Sequence, residues 1–340
     1  MAQTEAEQVY QAEQETVKEI SLRKRFFNIQ TLISFVVAVA IILFVVTRLN
    51  VDFASIWSSI SQSNPYLYLL ALASYYASFV LRGIRWRALL KNVGFHKSMG
   101  VRLPSVAGLS EIILLSWFVN CIIPARLGDA YRAYVLKRNA DVSFSTTIGT
   151  VFAERVFDMG VLFVLLAIAA LGVLGGVYSG TALGVVEIGF GLTLVLMIMI
   201  GVMIRFRQTI LRFVPQRFRP AYHRFEAGTL GSFRQIPLIV FISILVWMLE
   251  TGRLLFVVQS LGLSVALPLI LFVALAHSMI TVIPFTPGGL GLAEAGIVGL
   301  LLLGTVDREA AVSIAIVDRT ISYWSIVVFG LILFILTRKK

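Results

Sequence analysis

Two stretches of the chain place proline, glycine and charge directly after an apolar run. The first is Asn120-Cys121-Ile122-Ile123-Pro124-Ala125-Arg126-Leu127-Gly128-Asp129. The second is Pro284-Phe285-Thr286-Pro287-Gly288-Gly289-Leu290-Gly291, followed by Glu294. Broken helices that carry charge at membrane depth persist only where protein or a water-filled cavity surrounds them, and in transporters they mark the substrate site. A helix beginning at Leu127 directs unpaired backbone N–H groups toward the first break. At the second, Gly288-Gly289 lets the backbone approach a ligand with no side chain in the way. Both ends suit an anion such as phosphate. Arg126 offers a permanent charge and bidentate donors. The competing reading is that proline and glycine only turn the chain, with Arg126 paired to a neighbouring acid.

Further charges lie downstream of each break. Glu154 and Asp158 are four residues apart and share a helix face, with Arg155 three before Asp158 and able to pair with it. This trio either neutralises itself or keeps one carboxylate for proton coupling, and structural pairing is the simpler of the two. Asp318 and Arg319, together with Glu294, invite the same reading in the second half. Four residues are of second rank. Glu111 is a candidate partner for Arg126 or Arg132. His277 is either packed through hydrogen bonds or a proton carrier. Arg85-Trp86 reads most simply as an anchor at the inner end of a span, arginine at headgroups and tryptophan at the interface, rather than a substrate contact. Asn120 is placed to satisfy backbone groups freed by the break.

These residues must be positioned by membrane helices. The chain is 58% apolar and 14% charged, with a mean hydropathy of +0.90, against about 25% charged in soluble domains. The net charge of +11 comes from arginines between apolar runs, as the positive-inside rule arranges them, so nucleic acid is excluded as a partner. One cysteine, Cys121, gives neither an internal disulfide nor a Cys/His metal cluster, and no cofactor motif is present.

In order, residues 1–25 form a cytoplasmic tail or surface helix. Spans follow at Ile29 to Thr47 and Pro65 to Leu81, with an interfacial segment between them at Val51 to Ser63. The remaining spans are Phe144 to Leu174, Leu183 to Ile204, Ile236 to Val258 and Ala310 to Leu336. No signal-peptide pattern precedes the first span. A full crossing at Leu103 to Ile123 would put Arg126, Arg132, Lys137 and Arg138 outside and invert everything after it. A re-entrant hairpin at 103–138 keeps them inside, and a second is expected at 266–304. Both termini are then cytoplasmic, and the arginine-rich stretch from Arg205 to Arg234, with Phe206, Ile210, Phe213 and Phe218 among its charges, suits an anionic inner leaflet. The fold class is an all-α polytopic membrane protein of about six spans and two hairpins, in the cell membrane.

The two halves, 26–174 and 183–340, match. Pro124-Ala125-Arg126-Leu127-Gly128 and Pro287-Gly288-Gly289-Leu290-Gly291 share proline, leucine and glycine at the same offsets, and an acid follows each, Asp129 and Glu294. Glu154-Arg155 begins 30 residues after Pro124, and Asp318-Arg319 begins 31 after Pro287. Loop charges give the matched segments opposite orientations, which is the pattern of an inverted-topology repeat.

The combination Asn120-x3-Pro124-x-Arg126-x-Gly128-Asp129, Glu154-Arg155-x2-Asp158 and Pro284-x2-Pro287-Gly288-Gly289-x-Gly291-x2-Glu294, with Arg85-Trp86, resembles the lysylphosphatidylglycerol synthase transmembrane-region family, also called flippase-like or UPF0104 proteins. Asp129 stands where that family usually has glutamate, which keeps the charge and shortens its reach. The resemblance implies a flippase-like transporter of an anionic or aminoacylated phospholipid or related lipid-linked substrate. Family members include the membrane half of bifunctional bacterial proteins that aminoacylate phosphatidylglycerol. With the sequence stopping at Lys340, the expectation is a stand-alone translocation domain without transferase activity. A separate lipid synthase is a candidate partner, and the oligomeric state is open, a dimer included. An accessory protein for a lipid-modifying enzyme is the alternative. An intramembrane enzyme is a weaker one, because Leu127-Gly128-Asp129 lacks the glycine expected at Arg126 for an aspartyl protease and no HExxH or serine elbow is present.

Overall fold

The computed structural model describes residues 29–49, 52–123, 126–173, 179–281 and 286–337. The tail 1–25, Pro124, Pro284 and the last three residues lie outside them. The described residues are helical throughout: α1 Ile29–Leu49, α2 Phe53–Ser61, α3 Pro65–Asn92, α4 Val106–Ile122, α5 Gly128–Ala140, α6 Phe144–Val173, α7 Ser179–Arg205, α8 Arg207–Phe213, α9 Arg219–Gly231, α10 Ile236–Ser260, α11 Leu267–Ile280, α12 Leu292–Leu303, α13 Arg308–Arg319 and α14 Ser325–Thr337. A five-residue π-helical turn, Thr320–Trp324, joins α13 to α14 into one span.

Among the described residues, five helices are long and apolar enough to cross a membrane: Pro65–Asn92, Phe144–Val173, Leu183–Arg205, Ile236–Ser260 and Arg308–Thr337. Helix α1, at 21 residues, covers the remaining predicted span. At about 1.5 Å per residue it matches a hydrocarbon core of roughly 30 Å. Helices α4, α11 and α12 are apolar but shorter. The outer faces are hydrophobic: Phe190, Val195, Met197 and Ile198 of α7 are all more than half exposed, a surface that only lipid solvates well.

Local sequence explains the ends. Asn64 caps α3 by accepting from the amides of Tyr66 and Leu67, with Pro65 at the first helical position, where its missing N–H costs nothing. Asp52 caps α2, and hydrogen bonds from the Ser55 hydroxyl and the Ala54 amide hold its carboxyl below the usual carboxylate range. Helix α2 turns Ile56 inward and leaves Phe53 and Trp57 exposed, as an interfacial segment should.

Helix α3 does not stop at Leu81. It runs 28 residues to Asn92, because Arg82 and Arg85 find buried carboxylate partners instead of headgroups.

The packing is reciprocal. Helices α3 and α10 lie along each other at the centre; α4 packs against α14 of the other half, and α11 packs against α6. Each short apolar helix before a break, α4 or α11, is therefore held by a long helix of the other half of the chain. The arginine-rich stretch forms α8 and α9, with Phe206, Phe213 and Phe218 exposed, while α9 is pressed onto α6.

That contact depends on two glycines. A Cβ at Gly149 would lie 2.3 Å from the Phe225 carbonyl oxygen, and one at Gly228 would lie 2.2 Å from that of Thr146, so the two backbones touch as small-residue interfaces allow. Gly149→Ala is expected to destabilise the protein by about 1–3 kcal/mol through overpacking. Gly160→Ala, where a Cβ meets nothing within 4 Å, should be neutral or stabilising by up to about 1 kcal/mol. Thermal unfolding in detergent distinguishes them.

Candidate functional site

The two breaks meet at the centre. The Arg126 guanidinium donates to the Thr281 carbonyl at 2.6 Å, from the end of α4 to the end of α11. The Tyr323 hydroxyl donates to the Cys121 carbonyl at 2.9 Å. Between the breaks lies a cavity of about 120 Å³; with roughly 10–15 Å³ needed per water, it holds several. Its walls include Asn120, Arg126, Arg155, Asp158, His277, Gly288, Gly289 and Arg319, all anticipated from sequence, and Arg82, Trp117, Trp247, Glu250 and Arg253, which were not.

The arginines are fixed by carboxylates from several helices. Arg85, fully buried, donates to Asp158 at 2.5 and 3.1 Å, to Glu154 at 2.9 Å and to the Ser243 hydroxyl at 2.7 Å. Arg132 donates to the other oxygen of Glu154 at 2.9 Å and lies 3.4 Å from Asp129. Arg155 grips Asp129 at 2.8 Å, with Asp158 only at 3.9 Å. Across the centre, Arg82 bonds Glu250 at 2.8 Å. Arg253 bonds Glu250 and Asp318. Arg319 donates to Glu294 at 2.8 Å and to the Gly288 carbonyl at 3.2 Å.

The halves correspond in this network. Arg155 holds Asp129, and Arg319 holds Glu294, each acid standing just after its break. The acid preceding each of these arginines, Glu154 or Asp318, takes an arginine from the central helix of its own half, Arg85 on α3 or Arg253 on α10. Ionised groups at this depth persist only when paired. Seven arginines face six carboxylates, and among the described residues Arg126 alone of the seven makes no ion pair.

Several expectations are corrected by this geometry. Arg85 and Trp86 are not an interfacial anchor: both are fully buried, Arg85 in the network and Trp86 beneath Arg132, with its indole N–H 3.3 Å from the Thr150 hydroxyl. Arg155 does pair with Asp158, at 3.9 Å, but its closer partner is Asp129 at 2.8 Å. Glu111 pairs with neither Arg126 nor Arg132, which have other partners. Asp129, Glu154, Glu294 and Asp318 do not line the cavity; they stand behind the arginines.

The helix ends are also less open than expected. The Gly128 amide, first in α5, is taken by Asn120 Oδ1 at 2.8 Å, and the Gly291 amide before α12 by Glu294 Oε2 at 2.6 Å. Gly128 and Gly291 serve packing: a Cβ at Gly128 would lie 2.0 Å from the Ser116 carbonyl, and one at Gly291 2.7 Å from that of Ala38. Pro287 is buried in a short 3₁₀ turn. Pro124 falls outside the described residues. What remains for a ligand is Arg126, whose φ of 52° holds it in the left-handed region that most residues avoid.

The residues that sequence reading missed carried a faint signal. Arg82 and Arg85 are three apart on α3, and Glu250 and Arg253 three apart on α10, so each central helix presents a charged face to the other.

Residues 32–330 match the family model described as the lysylphosphatidylglycerol synthase TM region. A UPF0104 membrane protein of Methanocaldococcus jannaschii is 34% identical over 225 residues, covering 66% of this chain and 95% of that protein. A UPF0104 membrane protein of Pyrococcus horikoshii is 23% identical, covering 80% of this chain and 87% of its own length. A protein of Haloferax volcanii named glycosyltransferase AglD is 26% identical over 89% of this chain, which spans 54% of it. The span pattern, the paired breaks and these matches agree: the chain is a multi-pass helical membrane protein and belongs to the lysylphosphatidylglycerol synthase transmembrane-region family.

Proposed function

We propose that this protein moves a lipid with an anionic headgroup between membrane leaflets. The headgroup enters the cavity between the two breaks while its acyl chains stay in the bilayer, and the halves, as inverted repeats, rock to expose the cavity to either side. The observation that carries this reading is charge: among the described residues of the central network every arginine but Arg126 has a carboxylate partner, and Arg126 reaches the cavity from the break after α4. Arg126 is half-buried, and a guanidinium at membrane depth without an ion-pair partner is costly unless it meets an anion. By the positive-inside rule the arginine-rich end carrying α8 and α9 faces the cytoplasm and the anionic inner leaflet of the cell membrane, with both termini on that side.

The test is reconstitution of the purified protein in liposomes containing fluorescent phosphatidylglycerol, with quencher added outside. Expected is quenching that proceeds past the outer leaflet; quenching that stops there, as in protein-free vesicles, would sink the proposal. Glu294→Gln should slow movement, because it weakens the grip on Arg319 and the Gly291 amide that shapes the second break.

A second reading, an accessory role beside a lipid-modifying enzyme, is favoured by the relative named as a glycosyltransferase, of which this chain spans about half. Lipid movement only when such an enzyme is added would support it.

A further inference from the structure

Resting on the transport reading, we propose that Tyr323 is a positioning residue for the rocking step. It latches the two breaks together, and the π-helical turn that carries it, Thr320–Trp324, is the hinge on which they part.

The latch is one cluster of contacts. Cys121 lies in the last turn of α4, where backbone carbonyls lack an intrahelical donor. The Tyr323 hydroxyl supplies one across 202 residues, at 2.9 Å. The ring of the same tyrosine lies against the second break: a Cβ at Gly288 would stand 2.8 Å from Tyr323 Cε2 and 3.2 Å from the Cα of Cys121. Arg319 covers the ring at 4.8 Å and donates to the Gly288 carbonyl. One buried side chain therefore joins the end of α4, the glycine turn and the last span.

The hinge is a departure from the α-helix at the same place. In a π turn the hydrogen bonds run between residues five apart, and such turns are rare and often stand at functional sites. Helix α3 supports this one with side chains. The hydroxyls of Tyr68 and Tyr76 bond those of Thr320 and Ser325 at 3.0 and 2.8 Å, and Tyr75 donates to the Ser322 carbonyl at 3.0 Å.

The turn also divides two packing groups. Helix α13 packs on α12 and α2, whereas α14 packs on α4, where a Cβ at Gly330 would fall 2.5 Å from that of Phe118. Bending at the turn moves one group against the other, as hinges at element ends do. Tyr323 is tied to both, to α4 by its hydroxyl and to the second break by its ring, so the groups part only when one tie breaks. The matching span of the first half, α6, is α-helical from Phe144 to Val173, which places the hinge in the second half.

Cys121 reports the motion without engineering, because it is the chain's one cysteine and is 5% exposed in this structure. The experiment is N-ethylmaleimide labelling of the purified full chain in detergent, read by intact mass. Tyr323→Phe keeps the ring and removes the hydroxyl. It should label about three- to tenfold faster than wild type, the effect of one neutral hydrogen bond on an opening equilibrium. Ser74→Ala is the comparison: it cuts an equivalent bond, from the Ser74 hydroxyl to the Leu249 carbonyl at 2.8 Å, between α3 and α10. It should lower the melting temperature without speeding labelling. Equal labelling of Tyr323→Phe and wild type, or the same acceleration in Ser74→Ala, would overturn the inference. Should Tyr323→Phe fail to fold, hydrogen exchange on the wild type decides. Segment 320–325 is expected to exchange faster than its counterpart 156–161 in α6, and equal protection of the two would overturn the hinge. Faster labelling of Tyr323→Phe, found with a protein that moves no lipid in vesicles, would sink the transport reading and leave the latch standing.

Discussion

Arg126→Gly keeps the fold and slows transbilayer lipid movement by about tenfold or more, the worth of one charge-assisted contact of about 1.5–3 kcal/mol. Glycine is the informative substitution because Arg126 sits at φ 52°, a conformation glycine adopts freely and a residue with a Cβ does not. The backbone of the break is therefore undisturbed. No carboxylate loses a partner, since Arg126 makes no ion pair among the described residues, and its one hydrogen bond goes to the Thr281 carbonyl. A neutral hydrogen bond of this kind contributes about 0.5–1.5 kcal/mol, so thermal unfolding in detergent should shift little. Unchanged lipid movement in this variant would remove Arg126 from the site, and a large loss of stability would make it a structural residue.

Arg85→Gln should do the opposite, destabilising the protein by about 3–5 kcal/mol, the usual cost of leaving a buried charge without its partner. Arg85 holds Asp158 through both carboxylate oxygens and shares Glu154 with Arg132. Without it, the nearest guanidinium to Asp158 is that of Arg155 at 3.9 Å, already committed to Asp129. The double variant Arg85→Gln/Asp158→Asn should recover much of the loss, because the stranded charge goes with its partner. Lys91→Ala, at an exposed position on the same helix, should stay within about 0.5 kcal/mol. Equal melting temperatures for Arg85→Gln and wild type would mean that the network does not hold the helices together.

Much of the scaffold was legible because its signals are local. Apolar runs longer than a bilayer, the Pro/Gly clusters that end α4 and α11, and the matched Asp129 and Glu294 all stand within short windows of sequence. Asn120 could be read as a backbone acceptor because it lies eight residues before the amide it binds. Partner choice was not local: Arg82 meets Glu250 across 168 residues, Arg85 meets Asp158 across 73, and Arg253 meets Asp318 across 65. Hydropathy also misled at Arg82 and Arg85. It treats an arginine as an exit from the membrane, whereas an arginine with a buried carboxylate can continue the helix inward. Helical spacing likewise found the longer contact of Arg155, to Asp158 at 3.9 Å, and not the closer one, to Asp129 on α5 at 2.8 Å.

The cavity between the breaks is the centre of this account, and the most direct test is to find where a headgroup binds. Photo-crosslinking with a phosphatidylglycerol analogue that carries the reactive group on its headgroup, followed by peptide mass spectrometry, would locate it. Expected is label on segments 117–126 and 286–291, where the cavity-lining Trp117, Asn120, Thr286 and Gly288 stand, and loss of that label in Arg126→Gly. Label confined to the lipid-facing surface of α7 or to α8 and α9, unchanged by Arg126→Gly, would contradict it.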